Sequence, residues 1–398
     1  MKDQKKILML GGSDIQTSAI KRAVELGYYV ITADYLPENP GHKYSHEYYD
    51  ISTIDKDKIF ELAKKLEVDG ILAYASDPGA ESVAYVGEKL GLNTNSFNAV
   101  STLSHKTELR SLMKKHHLPN PAFEKIISIG EIKEFIQKNG KSIVKAVNSS
   151  GSKGITVVNE NSDFEFALNE ALKYSGPSHV LIEEYIEKSE MQFCGDLFVQ
   201  DGEIIFYSFG NVHFDNRCNP LVPCSITLPT INGSAIEKKA IEVIQEIFDI
   251  LSIKTGGFNV DVFQVQNEVY IIEIGARNGG NLFTEIIQEH TNVNLVDFVI
   301  DASVGKKVEV PKKISGNGYH AHYVIHSIED GILDKIEFTN EINDNIIFKV
   351  IKIKSGEEVK KFNGSNTRIG VVLLRFDSHE EMFEKVKNMD NFIKVNLR

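Results

Sequence analysis

Two apolar segments, each carrying one acid, lie a turn apart near the middle of the chain. The first is Gly256-Gly257-Phe258-Asn259-Val260-Asp261-Val262-Phe263. The second, Tyr270-Ile271-Ile272-Glu273-Ile274-Gly275, runs straight into Ala276-Arg277-Asn278-Gly279-Gly280. Gln266-Asn267-Glu268 turns the chain between them, so the segments are expected to pair antiparallel and to set Asp261 beside Glu273. Neighbouring carboxylates repel unless a cation lies between them. Mg²⁺ takes one or two carboxylates and completes its octahedron with phosphate oxygens and water. An acidic hairpin beside an Arg and a Gly-rich turn therefore points to metal–nucleotide chemistry.

The 398 residues allow two or three domains. A formal charge of −12 argues against a nucleic-acid or anionic-membrane surface. Cys194, Cys218 and Cys224 show neither metal spacing nor a disulfide framework, which fits a reducing cytoplasm. No apolar run approaches the ~20 residues of a membrane span. Ile7-Leu8-Met9-Leu10 is too short for a signal-peptide core and reads as a buried strand. The expectation is a cytoplasmic protein with no nucleic-acid and no membrane partner.

Residues 1–103 alternate strand and helix: Lys6–Leu10, a helix to Leu26, Tyr28–Ala33, Ile59–Leu66, Gly70–Tyr74 and Gly79–Leu90. That rhythm implies a doubly wound parallel α/β domain. From Ser104, expected as a helix N-cap, the pattern changes. Residues 104–188 read as a compact α+β lobe, 189–310 as a larger β-rich lobe, and 311–398 as a small β-rich domain with one helix.

Four segments besides the hairpin could carry chemistry. Gly11-Gly12-Ser13 with Asp34 superficially suits a dinucleotide site, but Gln16 breaks the glycine fingerprint. The free N–H groups of that turn could still hold a carboxylate or phosphate. Ser149-Ser150-Gly151-Ser152-Lys153-Gly154 is a loop able to nest phosphate oxygens, with Lys145 just upstream and Lys106 on the preceding helix. Glu183-Glu184-Tyr185-Ile186, followed by Glu190, is an extended connector that could offer backbone groups to an adenine and acids to a ribose. His213 opens a polar loop to Pro220 suited to selecting substrate. On the hairpin side, Arg277 is a bidentate anion fork, and Asn278, Gly279, Gly280 and Asn281 lead into a helix with backbone donors expected to be free.

The order of these motifs resembles the ATP-grasp superfamily, within it the carboxylate–amine ligase branch that includes biotin carboxylase, purine-pathway ligases and amino-acid ligases. The resemblance covers most of the chain. It implies an N-terminal α/β domain, a two-lobed ATP-grasp fold and a small C-terminal domain. Lys106 and Lys145 resemble the phosphate-contacting lysines, and Ser149, Ser150, Gly151, Ser152 and Gly154 the Gly-rich lid. Glu183, Glu184, Tyr185 and Ile186 resemble the adenine hinge, and Glu190 the ribose acid. Asp261 and Glu273 resemble the metal ligands, and Arg277 the group that steadies substrate or acyl phosphate. Gly275 departs from the pattern, standing where many relatives have a coordinating Asn, and Asp261 replaces a frequent Glu.

The resemblance implies ATP and Mg²⁺ (or Mn²⁺), small carboxylate and amine substrates, and a homodimer as in many relatives. The activity implied is ADP-forming C–N ligation through an acyl phosphate. A kinase that stops after phosphoryl transfer, or a silent nucleotide-binding regulator, would use the same residues.

Overall fold

The computed structural model describes residues 4–147, 153–175, 178–187, 189–311, 314 and 316–398. The N-terminal sheet is parallel throughout, in the order Glu47–Asp50, Tyr29–Asp34, Lys6–Leu10, Gly70–Leu72. Side-chain alternation splits its two faces. Leu8, Leu10, Ile31 and Ala33 pack with Ile59, Leu62 and Val86 from helices Lys56–Leu66 and Asp77–Leu90. Ile7, Met9 and Val30 face the other way and join a core that includes Leu295, Val299 and Ile300 of helix Leu295–Ser303. The first domain is thus welded to the large lobe through one apolar layer.

The smaller lobe is an antiparallel sheet in the order Phe123–Ile126, Val180–Glu184, Ser142–Lys145, Ile155–Val158. Helices Ile129–Asn139 and Phe164–Ser175 cover one face of it through Ile132, Phe135, Ala167 and Ala171. Ser128 and Glu131 form a reciprocal capping box at the first of these helices. The uncovered face carries Lys145 and Glu183.

The large sheet has eight strands, in the order Glu268–Gly275, Thr255–Val265, Phe193–Gln200, Glu203–Phe214, Pro223–Leu228, Tyr319–Ile325, Gly370–Phe376, Ile346–Ile351. It runs without a break across residue 310, so three strands of the C-terminal part extend the same sheet that holds the acidic hairpin. A separate small sheet, Glu358–Val359, Gly331–Phe338, Ile393–Leu397, closes the C-terminal end. Among the described residues, no helix is long and apolar enough to cross a membrane.

Two local expectations, at Ser104 and His213, are corrected, and two further features had no sequence signal. Ser104 is the last residue of helix Phe97–Ser104 and not an N-cap; His105 is extended, and the next helix begins at Lys106. The segment Glu47–Asp50 is a strand, although its Glu-Tyr-Tyr-Asp composition carries no apolar alternation. His213 and Phe214 end the long strand Glu203–Phe214 and do not open a loop. Pro223 begins a strand, a position where its missing N–H is tolerated.

Candidate active site

A cleft of ≈ 510 Å³ lies where the three parts meet, bounded by the uncovered face of the small lobe, the acidic hairpin and the strand ends of the N-terminal domain. Its chemistry changes from one end to the other.

At one end, the turn at Gln266-Asn267 alone would set Asp261 opposite Ile272; a bulge in the register between Asp261 and Val262 shifts the pairing by one residue and sets Asp261 directly opposite Glu273. Burial and the neighbouring Glu273 push the Asp261 carboxyl up to about 6. Lys106 Nζ stands 3.3 Å from Glu273 Oε2. Gln192 Nε2 donates to Asp261 Oδ1 at 3.4 Å, too long to satisfy a buried carboxylate. Two adjacent acids, one of them disfavoured as an anion, form a donor set that suits a hard divalent cation.

Lys145 ends its strand buried, with Nζ on the Glu183 carboxylate. Arg110 Nε reaches the other Glu183 oxygen at 2.6 Å. Burial opposes charge on Glu183, yet Arg110 and Lys145 outweigh it and hold the carboxyl down at about 2. Burial pushes Lys145 down from the usual lysine range, against the pull of Glu183. The guanidinium of Arg110 also donates to Ile271 O at 2.8 Å and Ile272 O at 3.1 Å. It therefore ties the helix Lys106–Lys115, the small lobe and the acid-bearing strand into one frame. Nothing in the spacing of Arg110 announced this, since its partners lie 73, 161 and 162 residues away.

The expected hinge is modified by this geometry. Glu183, 2 % exposed, has its carboxylate consumed by Lys145 and Arg110 and not turned to a ligand. Glu184 N donates to Ala122 O at 2.9 Å and Tyr185 N to Lys141 O at 3.0 Å, so these two N–H groups are already bonded. Glu184, Tyr185 and Ile186 line the cleft, whereas Glu190 is exposed and is not among its lining residues. Ser149, Ser150, Gly151 and Ser152 lie outside the described residues. Gly154 has φ +65°, and a Cβ there would meet Ala146 Cβ and the Tyr174 ring at 2.9 Å, so only glycine fits at this position.

Arg277 leaves the end of the hairpin and is clasped by Asp77, with Nε 2.7 Å from Oδ1 and Nη2 2.8 Å from Oδ2. Its Nη1 donates to Asn259 Oδ1 at 3.1 Å. Burial works against the guanidinium, but Asp77 outweighs it and raises its pKa further. Asp77 stands at the start of helix Asp77–Leu90, so the N-terminal domain orients the Arg. This also accounts for Gly275. A Cβ at that position would sit 3.0 Å from Asp77 Oδ1 and 3.1 Å from Arg277 Cζ, inside the ion pair.

The loop after Arg277 is anchored by Asp196, a fully buried acid that sequence reading missed. Asp196 Oδ1 and Oδ2 accept from Gly279 N at 2.9 Å, Asn259 Nδ2 donates to Oδ1 at 2.8 Å and Asn278 Nδ2 to Oδ2 at 3.2 Å. Burial still pushes this carboxyl up to about 6. The Gly279 N–H is therefore spent on Asp196 and is not free for an anion, a correction to the expected donor turn. Asn278 turns inward on the same acid, while Gly280 and Asn281 line the cleft. An Asp inside the apolar run Phe193-Cys194-Gly195-Asp196-Leu197-Phe198 was the one available signal.

The Gly11-Gly12-Ser13 turn is closed by its own side chains. Gly12 N donates to Asp34 Oδ2 at 3.1 Å and Ser13 N to Gln16 Oε1 at 2.9 Å. Asp34 also accepts from Leu36 N and Asn39 Nδ2, which leaves it no role as a ribose acid. The donors expected at this turn are thus already taken.

At the opposite end of the cleft the wall is apolar, and His213 lies just behind it with Nε2 3.0 Å from Thr227 Oγ1. Burial pushes the His213 imidazole down to about 4. The loop after Phe214 is fixed by Asp215, which binds Arg217 at 2.7 Å and His326 Nε2 at 3.1 Å. Cys218 lies in reach of the same group, so chain folding assembles an Asp–Cys–His cluster that linear spacing gave no sign of. With Arg217 forked onto Asp215, this cluster acts as a loop anchor.

Comparison with known proteins agrees with this geometry. Residues 111–283 match the ATP-grasp domain family. A phosphoribosylamine–glycine ligase of Methanocaldococcus jannaschii is 27 % identical over 360 residues, covering 79 % of this chain and 78 % of that one. A formate-dependent phosphoribosylglycinamide formyltransferase of Sulfurisphaera tokodaii is 22 % identical over 404 residues, covering 98 % and 97 %. Among solved structures, an L-amino acid ligase from Bacillus licheniformis superposes with TM-score 0.84 at 16 % identity, with both chains fully covered. Residues 111–283 thus carry an ATP-grasp domain, and the chain is similar along most of its length to ligases and transformylases of the carboxylate–amine ligase branch.

Proposed function

We propose that this protein is an ADP-forming C–N ligase that activates a small carboxylic acid with ATP and transfers the acyl group to an amine. The observation that carries this reading is the half-buried Asp261–Glu273 pair in the cleft, with Lys106 3.3 Å from Glu273 and Arg277 held on the same sheet edge. Asp261 and Glu273 would hold Mg²⁺, which offsets charge on phosphate oxygens when bound. Lys106 and Lys145 face the same end of the cleft and would bind the phosphates. Glu184, Tyr185 and Ile186 would line the base.

Arg277, clasped by Asp77, would bind the acid's carboxylate. One carboxylate oxygen attacks the γ-phosphorus and the bond to the β-phosphate oxygen breaks, giving ADP and an acyl phosphate. The amine nitrogen then attacks the acyl carbon, loses a proton, and phosphate departs. Such transfers rest on positioning and fixed charge. The ion-paired frame Lys145–Glu183–Arg110 supplies that rigidity, and a closed cleft keeps water from the acyl phosphate.

The test is ADP release from Mg²⁺-ATP, screened over pools of acids with and without amines. Release that requires both an acid and an amine is the expected result. Release with a single acceptor and a stable phosphorylated product would replace the ligase with a kinase. ATP binding without ADP formation under any mixture would leave only a regulator.

A further inference from the structure

Several of the relatives are named for phosphoribosyl substrates, and a phosphorylated substrate needs cations to receive its phosphate. In this cleft the cations cluster at the nucleotide end: Lys106, Arg110, Lys145 and Lys153. Beyond Arg277, the far end has no Lys or Arg among its described lining residues. Arg368, close by in sequence to the lining residues Phe362 and Ser365, is spent on Asp14. The Gly11–Ser13 turn, the other natural phosphate cradle, is filled by Gln16 and Asp34.

The far wall is instead made of Val212, Phe214, Leu221, Val222 and Phe362, with His322 among them. His322 is 2 % exposed, and neither ring nitrogen has a hydrogen-bond partner among the described residues. Burial pushes its imidazole down to about 3, so it offers a neutral donor and acceptor and no positive charge. A largely apolar wall whose polar groups carry no charge, opening beside an Arg, is built for the body of a carboxylic acid.

Resting on the ligase reading above, we infer that the acid activated here carries an uncharged, largely apolar body seated against Phe214, Leu221, Val222 and Phe362, and is neither formate nor a phosphorylated acid. The atoms reacting at Arg277 are the same for any acid; the wall decides which acid stays.

Hydroxylamine serves as the amine, so that any acyl phosphate is trapped as a hydroxamate. The acids are formate, acetate, butanoate, hexanoate, 3-phenylpropanoate and 3-phosphoglycerate. kcat/KM is expected to rise about 4-fold per added methylene until the pocket is full. A flat series, or formate or 3-phosphoglycerate turned over best, would overturn this inference and leave the ligase reading standing. No ATP-dependent hydroxamate from any acid would overturn the ligase reading instead. The pocket is then judged by calorimetric binding of the same acids to the Mg²⁺–ADP complex: affinity that climbs with chain length retains it, and affinity without that trend removes it. Leu221→Asp, on the partly exposed rim, should cut the hexanoate-to-acetate ratio of kcat/KM at least 10-fold; an unchanged ratio contradicts the assignment.

Discussion

The two ends of the cleft are built by opposite means. At the nucleotide end, charges are cross-braced and buried or half-buried: Lys145 and Arg110 share Glu183, Lys106 meets Glu273, and Asp77 clasps Arg277. At the far end, Val212, Phe214, Val222 and Phe362 offer shape, and the buried His322 among them stays neutral. Charge fixed in a low-dielectric frame acts on phosphates whatever acid is bound. Apolar shape sorts acids by size, at roughly 0.8 kcal/mol per methylene. Reaction and selection are therefore assigned to different walls, and each can be altered alone.

The largest effect should come from the charged end. Lys145→Ala or Glu273→Ala should lower kcat by about 10²–10³, roughly 3–4 kcal/mol, with the fold retained by circular dichroism. Near-normal turnover in either variant would erase the contrast between the two ends. Next, Glu183→Gln leaves Arg110 and Lys145 buried with no counter-charge. A stability loss of about 3–5 kcal/mol is expected in denaturant unfolding. A loss below about 1 kcal/mol would show that the frame is not held by this carboxylate.

A smaller effect is expected from Asp77→Asn, which keeps the shape but weakens the clasp on Arg277. KM for the acid should rise about 10-fold, roughly 1.4 kcal/mol, while KM for ATP stays near its original value. Equal changes in both would place Arg277 with the nucleotide.

The mildest test is pH. Burial and Glu273 raise the Asp261 carboxyl from 3.8 to about 6, and burial raises Asp196 likewise. A raised acid favours the protonated fold. In the absence of metal, this contribution to stability is complete below about 4 and is lost as pH climbs through about 6. Mg²⁺ needs the ionised form, so its affinity should increase across the same interval and level off above about 7. Melting curves from pH 5 to 8, with and without Mg²⁺, check both signs.

The charged end was also the more legible in sequence, for a physical reason. Asp261, Glu273 and Arg277 share one hairpin, whose closeness in sequence marks them together, although the turn alone would pair Asp261 with Ile272 and only a one-residue bulge, which no local pattern announced, sets it opposite Glu273. Lys106 and Lys145 sit at element ends, where composition marks them. Their supports were not visible: Arg110, Asp77 and Asp196 act across 73 to 200 residues, and no local pattern encodes such pairings. Glu183 misled because Glu-Glu at a strand end looks solvated, whereas strand alternation turns the first acid onto Lys145 and leaves the second exposed. The apolar end was hidden in another way. Its wall joins a strand end and loop near residues 212–222 to Phe362, and that meeting depends on the large sheet continuing through residue 310 into the C-terminal strands.

The most direct test of the central claim follows one oxygen atom. The best acid of the chain-length series is labelled with ¹⁸O in its carboxylate, and phosphate is analysed after turnover with Mg²⁺-ATP and an amine. Acyl-phosphate chemistry predicts one ¹⁸O atom in each phosphate released. Unlabelled phosphate formed alongside ADP would mean that the acid oxygen never reached phosphorus, and would contradict the account.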